Sequence, residues 1–163
     1  MFMKKTIFTI IALLNINFLE ACFSPDPKLG DSAYWAVQAI ESYAAKDYEK
    51  SVAVVDECYE LYVPNAVEIQ KLFNKTDKKE PPIGRVDRKD KKRIQDNYIL
   101  NDVSMALWAK ARSLHELGKI KEAETAYAQC LFLTHGRAWD PGGWFWNPSS
   151  DCIKYAIKLL NKK

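Results

Sequence analysis

Glycine and proline are scarce, six and seven in a chain of 163 residues. A loop-rich β protein needs more turn residues than that. Histidine occurs only twice, and neither copy sits in a His-Glu-x-x-His arrangement, so the usual zinc-hydrolase signature is absent. A Gly-rich phosphate loop and a Gly-x-Ser-x-Gly elbow are also missing, which removes the common nucleotide-binding and acyl-transfer signatures. Neither sign of charge dominates. Twenty-four basic and 21 acidic residues leave a net +3, and no global electrostatic case for nucleic acid follows. No stretch reaches the roughly 20 consecutive apolar residues of a membrane span. What is present is 48% hydrophobic and 28% charged, a globular composition with length for one domain.

The chain opens with Met1-Phe2-Met3-Lys4-Lys5, then an uncharged apolar run from Ile7 to Leu14 that continues unevenly to Leu19. A basic start, a short apolar run and a small residue at its end read as an export signal over residues 1–21. Leu19-Glu20-Ala21-Cys22 resembles a bacterial lipobox, with Glu20 departing from the usual small or apolar residue. That resemblance implies lipidation of Cys22 as the mature N-terminus and a lipid-anchored envelope protein facing the periplasm or the surface. Residues 22–30 contain Pro25, Pro27 and Gly30, which block regular structure and suggest a tether.

A shift of 72 residues aligns two segments. Ala39 meets Ala111, Lys46 meets Gly118, Ser51 meets Ala123, Val55 meets Tyr127 and Cys58 meets Cys130. Each segment reads as two helices. Asp31 or Ser32 opens the first, which runs to about Ala45. Asp47 caps the second, which runs through Tyr62 and is stopped by Pro64. In the later segment Asn101 or Asp102 opens a helix ending at Gly118, and another runs from about Ile120 to Thr134, with Gly136 as its stop. Tyr48, Val52, Val55, Tyr59 and Tyr62 fall on one helical stripe, as do Ile120, Ala123, Tyr127, Cys130 and Leu131. Alternating strand patterns are absent, so the expected fold is all-α.

Leu107, Ala111, Leu114, Gly118, Ala123, Tyr127 and Cys130, with Leu-Gly-Lys-Ile-Lys-Glu-Ala at 117–123, resemble the tetratricopeptide repeat, a 34-residue helix–turn–helix unit. The earlier copy offers Trp35, Ala39, Ser51, Val55, Cys58 and Pro64 but lacks the turn glycine. The resemblance covers residues 32–65 and 104–137, within a helical-repeat domain of 31–163. It implies antiparallel helical hairpins, a long insertion between repeats and a capping helix after them. In such repeats the first helices line a groove. The resemblance therefore nominates Tyr43, Trp108, Arg112 and His115 as the ligand-facing group, with Arg112 available for a carboxylate.

Between the copies, residues 75–93 hold nine basic and four acidic side chains around Pro81, Pro82 and Gly84. A solvated loop is one reading, and a patch for acidic head groups or an acidic partner is the other. No aromatics are interleaved there, so base stacking has no support. After the second copy, Trp139-Asp140-Pro141-Gly142-Gly143-Trp144-Phe145-Trp146 holds three of the five tryptophans. Asp140 to Gly143 suits a tight turn. Asn147 and Pro148 then open a last helix lined by Ile153, Ala156, Ile157 and Leu160. This aromatic turn and capping helix, 138–161, resemble the ending of exported bacterial tetratricopeptide-like proteins, some of which carry glucanase-type names. Two repeats leave an exposed face that the tail can cover as a lid. Alternatively Trp139, Trp144 and Trp146 form a platform for sugar rings.

Cys58 and Cys130 occupy equivalent small-residue core positions and read as packed thiols. Cys130 with Cys152 is the pair best suited to a bridge if one forms. Cys130, His135 and Cys152 lack paired metal-ligand spacing, and no metal or cofactor is expected. Glu116, Asp140 and Asp151 are available carboxylates, but nothing in the sequence singles out a catalytic pair. The expected function is a non-catalytic protein- or peptide-binding adaptor of the envelope, with glycan binding as the alternative.

Overall fold

The computed structural model describes residues 20–161, so all but the last two residues of the export signal expected over 1–21 lie outside the described residues. Seven α-helices and one small hairpin make up the described chain. A single turn of 3₁₀ helix at Glu20–Cys22 leads to α1 (Asp31–Ala44) and α2 (Tyr48–Glu57), which pack as a hairpin. Next come α3 (Tyr59–Lys75), α4 (Arg88–Gln95), α5 (Tyr98–Glu116) and α6 (Ile120–Phe132). Strands β1 (Ala138–Asp140) and β2 (Trp144–Trp146) then precede α7 (Pro148–Leu160). The long α5 is central and packs against α1, α2, α3, α6 and α7.

The four expected helices form for the reasons their stripes suggest. Ala39, Ala111 and Ala123 are fully buried where helices meet, and Ser51 Oγ donates to Ala39 O at 2.9 Å across the first hairpin. Asp47 caps α2, accepting from Lys50 N at 3.2 Å. The turns that end α1 and α5 share one geometry. Asp47 N bonds Ser42 O and Lys119 N bonds Leu114 O, spanning five residues each, with Lys46 and Gly118 in the left-handed region at φ 63° and 69°. Glycine adopts that conformation freely, whereas Lys46 bears a cost of about 1 kcal/mol.

Several expectations are corrected. The helix after Asp47 breaks at Cys58 rather than at Pro64, which lies inside α3. Pro64 and Glu60, the residue whose carbonyl it cannot serve, both belong to exposed positions where water can substitute. Helix α5 begins at Tyr98, ahead of Asn101 and Asp102. Those two side chains bond elsewhere: Asn101 to Ile94 O and Arg137 N, Asp102 to Ser32. Residues 88–95 form a helix within the expected loop, capped by Asp87 and held inward by Ile94. The aromatic stretch forms two short strands, too brief to leave an alternating pattern.

Cysteines 22 and 58 form a disulfide, as do Cys130 and Cys152. Cys58 and Cys130 are therefore not packed thiols. The lipid anchor at Cys22 is corrected on chemical grounds. A thioether to lipid and a disulfide need the same sulfur, and Cys22 is fully buried in its bond to Cys58. Nor are residues 22–30 a free tether. Tyr62 Oη donates to Cys22 O, and Ser24 N donates to Asp31 Oδ1 at 2.9 Å.

Asp102 introduces a pH dependence. Burial raises its carboxyl from 3.8 to about 6, against the pull of the Ser32 hydrogen bond. The folded chain thus holds this proton more tightly than the unfolded chain. The stabilisation is fully present below pH 3.8 and is lost as pH rises through about 6. Asp102→Asn keeps an acceptor for Ser32 and removes the buried charge. It is expected to raise stability at pH 7 by about 1–3 kcal/mol and to flatten the profile across that window. Urea midpoints for both proteins across that range check this, and parallel profiles would count against it.

Candidate functional site

Three of the four residues expected to line a groove contact one another, Arg112 with Tyr43 and Tyr43 with Trp108, while His115 bonds Tyr127 instead. Arg112 on α5 donates to Tyr43 Oη from Nε at 3.2 Å and Nη2 at 2.9 Å, and to Glu116 Oε1 at 3.2 Å. Its guanidinium carbon lies 3.2 Å from the centre of the Tyr155 ring of α7. Burial works against the Arg112 charge, but Tyr43 and the neighbouring phenols outweigh it and hold the guanidinium above its ordinary value. His115 Nδ1 lies 3.0 Å from Tyr127 Oη, whose phenol burial pushes up to about 12 while Arg112 pulls it down. Trp108 Nε1 donates to Asp151 Oδ2 at 2.7 Å. A ligand carboxylate seeking Arg112 meets a cation already ringed by partners on α1, α5 and α7. The packing of α7 explains this: its Tyr155 and Asp151 occupy the stripe that a groove would have left open.

One face of Trp108 remains available, and the aromatic hairpin meets it there. Ala138 pairs with Trp146, Trp139 with Phe145, and Asp140 with Trp144. Partners opposite each other in an antiparallel pair share a face. Trp144 and Trp146 are thus on one side of the hairpin and Trp139 on the other. The three-tryptophan platform is corrected accordingly: Trp139 packs edge-on to Phe145 at 4.8 Å, away from the other two. Trp146 instead meets Trp108 edge-to-face at 5.4 Å, and Trp108 meets Tyr43 at 5.1 Å.

Trp108, Trp144 and Trp146 line a cleft of about 600 Å³, together with Asp140, Asn147, Ser150, Asp151 and Lys154. Trp144 is 38% exposed. The cleft exists because Asp140 to Gly143 turn sharply. Gly143 N bonds Asp140 O at 2.9 Å, and Gly143 takes φ 93°, as a three-residue hairpin loop requires. Asp140 Oδ1 accepts from Gly142 N at 2.7 Å. Asn147 Oδ1 caps α7 at Ser150 N, 3.2 Å. Gly84 bonds Phe145 through both backbone groups, at 2.7 and 2.9 Å, and closes the rim.

Behind the hairpin is a buried polar network that the sequence did not single out. Gln70 Nε2 donates to His135 Nδ1 at 2.8 Å, and His135 Nε2 donates to Lys78 O at 2.7 Å. In this arrangement Nδ1 is the acceptor and Nε2 the donor. Arg137 donates from Nε to Pro81 O at 2.9 Å and from Nη1 to Thr134 O and Gly136 O at 2.8 and 2.7 Å. Burial lowers the Arg137 pKa, partly offset by Glu80. The segment 78–81 is thereby tied down through its carbonyls and the buried Pro81, while Lys78, Lys79 and Glu80 remain exposed. Only the flanking of Gly136 by His135 and Arg137 hinted at this network. Among the described residues no cluster of His, Cys, Asp and Glu fits a metal ion. Comparison with known proteins gives no significant match to a family model, to a characterised protein or to a solved structure.

Proposed function

We propose that this protein is an exported, non-catalytic binding module that seats a glycan in the Trp108–Trp144–Trp146 cleft. The single observation that carries this reading is the shared cleft itself. Indole rings from a helix and a hairpin border it, together with carboxylate, amide and hydroxyl side chains. Such a mixture offers apolar faces to the C–H surface of a sugar ring and hydrogen-bonding groups to its hydroxyls. A peptide adaptor is less well served, since Tyr43, Trp108, Arg112 and His115 already have partners within the fold, in one another, Tyr127 and Asp151. Two helical hairpins with α5 seated between α1 and α2 and against α6 are consistent with tetratricopeptide-like stacking, with α7 as the cap. Two disulfides suit an oxidising compartment, in keeping with the export reading of the leader.

Tryptophan-fluorescence titration with soluble N-acetylhexosamine and glucan oligosaccharides tests the proposal. Wild type is expected to bind one class. Trp144→Ala should weaken binding about tenfold, as loss of one aromatic contact of roughly 1–1.5 kcal/mol implies, while Trp139→Ala on the opposite face leaves it unchanged. Failure of every oligosaccharide to bind, or equal binding by Trp144→Ala, would overturn it. Asp140 and Asp151 share the cleft, so release of reducing ends from a bound glycan would replace binding with hydrolysis.

A further inference from the structure

We infer that α4 and the surface beside it dock the protein on an anionic lipid bilayer. This surface is separate from the glycan cleft and does not depend on it. Helix α4 presents Arg88, Lys89, Lys92 and Arg93 around a shallow depression of about 630 Å³, with Lys78 across from them. Its one buried side chain, Ile94, holds the opposite face inward. The helix's acidic neighbours are committed. Asp87 caps it, Asp90 pairs with Arg93 at 3.0 Å, and Asp96 pairs with Lys92 at 2.7 Å. Arg88 and Lys89 have no carboxylate within ion-pair distance among the described residues. Charge within a Debye length of about 8–10 Å decides surface attraction, so the local excess of cations outweighs the modest net charge.

Charge alone would suit any polyanion. What selects a bilayer is the rim. Lys91 Nζ lies 4.6 Å from the centre of the Trp139 ring, and this pair borders a second depression of about 640 Å³ with Leu29, Tyr98 and Met105, where Arg137 accompanies the carboxylate of Asp102. Tyr98 is 64% exposed and Trp139 45%. Cations beside exposed Tyr, Trp and Leu match the layering of a membrane interface. Phosphates meet Lys and Arg, and amphipathic rings settle at head-group depth. An acidic protein loop would engage the cations through its carboxylates and leave Tyr98 and Trp139 in water.

Vesicle sedimentation of the full chain tests this, comparing phosphatidylglycerol-containing vesicles with pure phosphatidylcholine. The variant is Arg88→Gln with Lys89→Gln, both on exposed, unpaired side chains. Each neutralisation should lower partitioning onto anionic vesicles about fivefold, so about twenty-five-fold together, with no change on neutral vesicles. That differential isolates the patch from any contribution of the leader. A second variant, Tyr98→Ser, should lose the fraction that stays bound at high salt. The proposal is overturned if the double variant partitions as wild type does, if wild type does not prefer anionic vesicles, or if Tyr98→Ser is without effect. Retention on an acidic polysaccharide with no vesicle preference would assign the patch to that polymer instead.

Discussion

Removing both disulfides is expected to lower folding stability by about 6–8 kcal/mol, enough to unfold a large fraction of the chain at 37 °C. Closing a chain segment restricts the unfolded ensemble. For the separations of 36 and 22 residues here, the chain-entropy relation gives roughly 3–4 kcal/mol per bridge. Whole domains are stable by only about 5–15 kcal/mol. The bridges lie at opposite ends of the helical stack and share no partners, so their effects should add. Cys22–Cys58 pins the entry strand of chain beside α1 and α2. Cys130–Cys152 pins α7 onto α6 and so holds Tyr155 over Arg112 and Asp151 under Trp108. The measurement is urea unfolding of wild type, of Cys22→Ala with Cys58→Ala, and of Cys130→Ala with Cys152→Ala, followed by their combination. Midpoints that coincide with wild type would refute the ledger. The Cys130 pair should also loosen the tryptophan cleft, visible as a red-shifted emission that the Cys22 pair does not produce.

The second large effect is expected at Gly136. A Cβ built there would sit 1.9 Å from Ser104 Oγ and 2.5 Å from Ser104 Cβ. Rotating the Ser104 hydroxyl relieves the first clash but not the second, because Cβ is fixed by the α5 backbone. Ser104 is fully buried and its Oγ bonds Leu100 O at 2.7 Å. The loop must therefore move away from α5. That loop carries His135 and Arg137, whose bonds to the segment 78–81 depend on its position. Gly136→Ala should cost about 3–5 kcal/mol, in the range of severe overpacking combined with a broken polar network. Ser104→Gly costs about 1 kcal/mol by itself through helix propensity, yet in the double variant it should restore much of the loss. Denaturant midpoints for the cycle decide the matter, and strictly additive effects would mean the contact is not the cause.

The helices were legible where the 3.6-residue period is strong. The stripes at Val52–Val55–Tyr59 and Ala123–Tyr127–Cys130, and the capping by Asp47 and Asn147, are local signals, and they marked α1, α2, α5, α6 and α7. Helix α4 was hidden because only Ile94 is apolar on its inner face, so its charge masked its period. The site was half legible. Trp144, Trp146 and Trp108 stood out as residues, but their convergence depends on contacts about 40 residues apart; the sequence grouped Trp108 with Tyr43, which it does touch, but not with Trp146. Trp139 was misassigned although strand parity across a turn at 140–143 separates it from Trp144. Gln70, His135 and Arg137 cooperate across more than 50 residues, and no spacing rule reaches that far.

The bridges join the first cysteine to the second and the third to the fourth. A polypeptide threaded across a membrane from its N-terminus presents its thiols in that order. Cys22 and Cys58 can be oxidised before Cys130 emerges, and Cys152 then finds a single vacant partner. Of the three pairings open to four cysteines, the native one would also be the first available if the chain is exported as proposed. Under the proposed export, consecutive pairing would ask for a thiol oxidase and leave an isomerase little to correct.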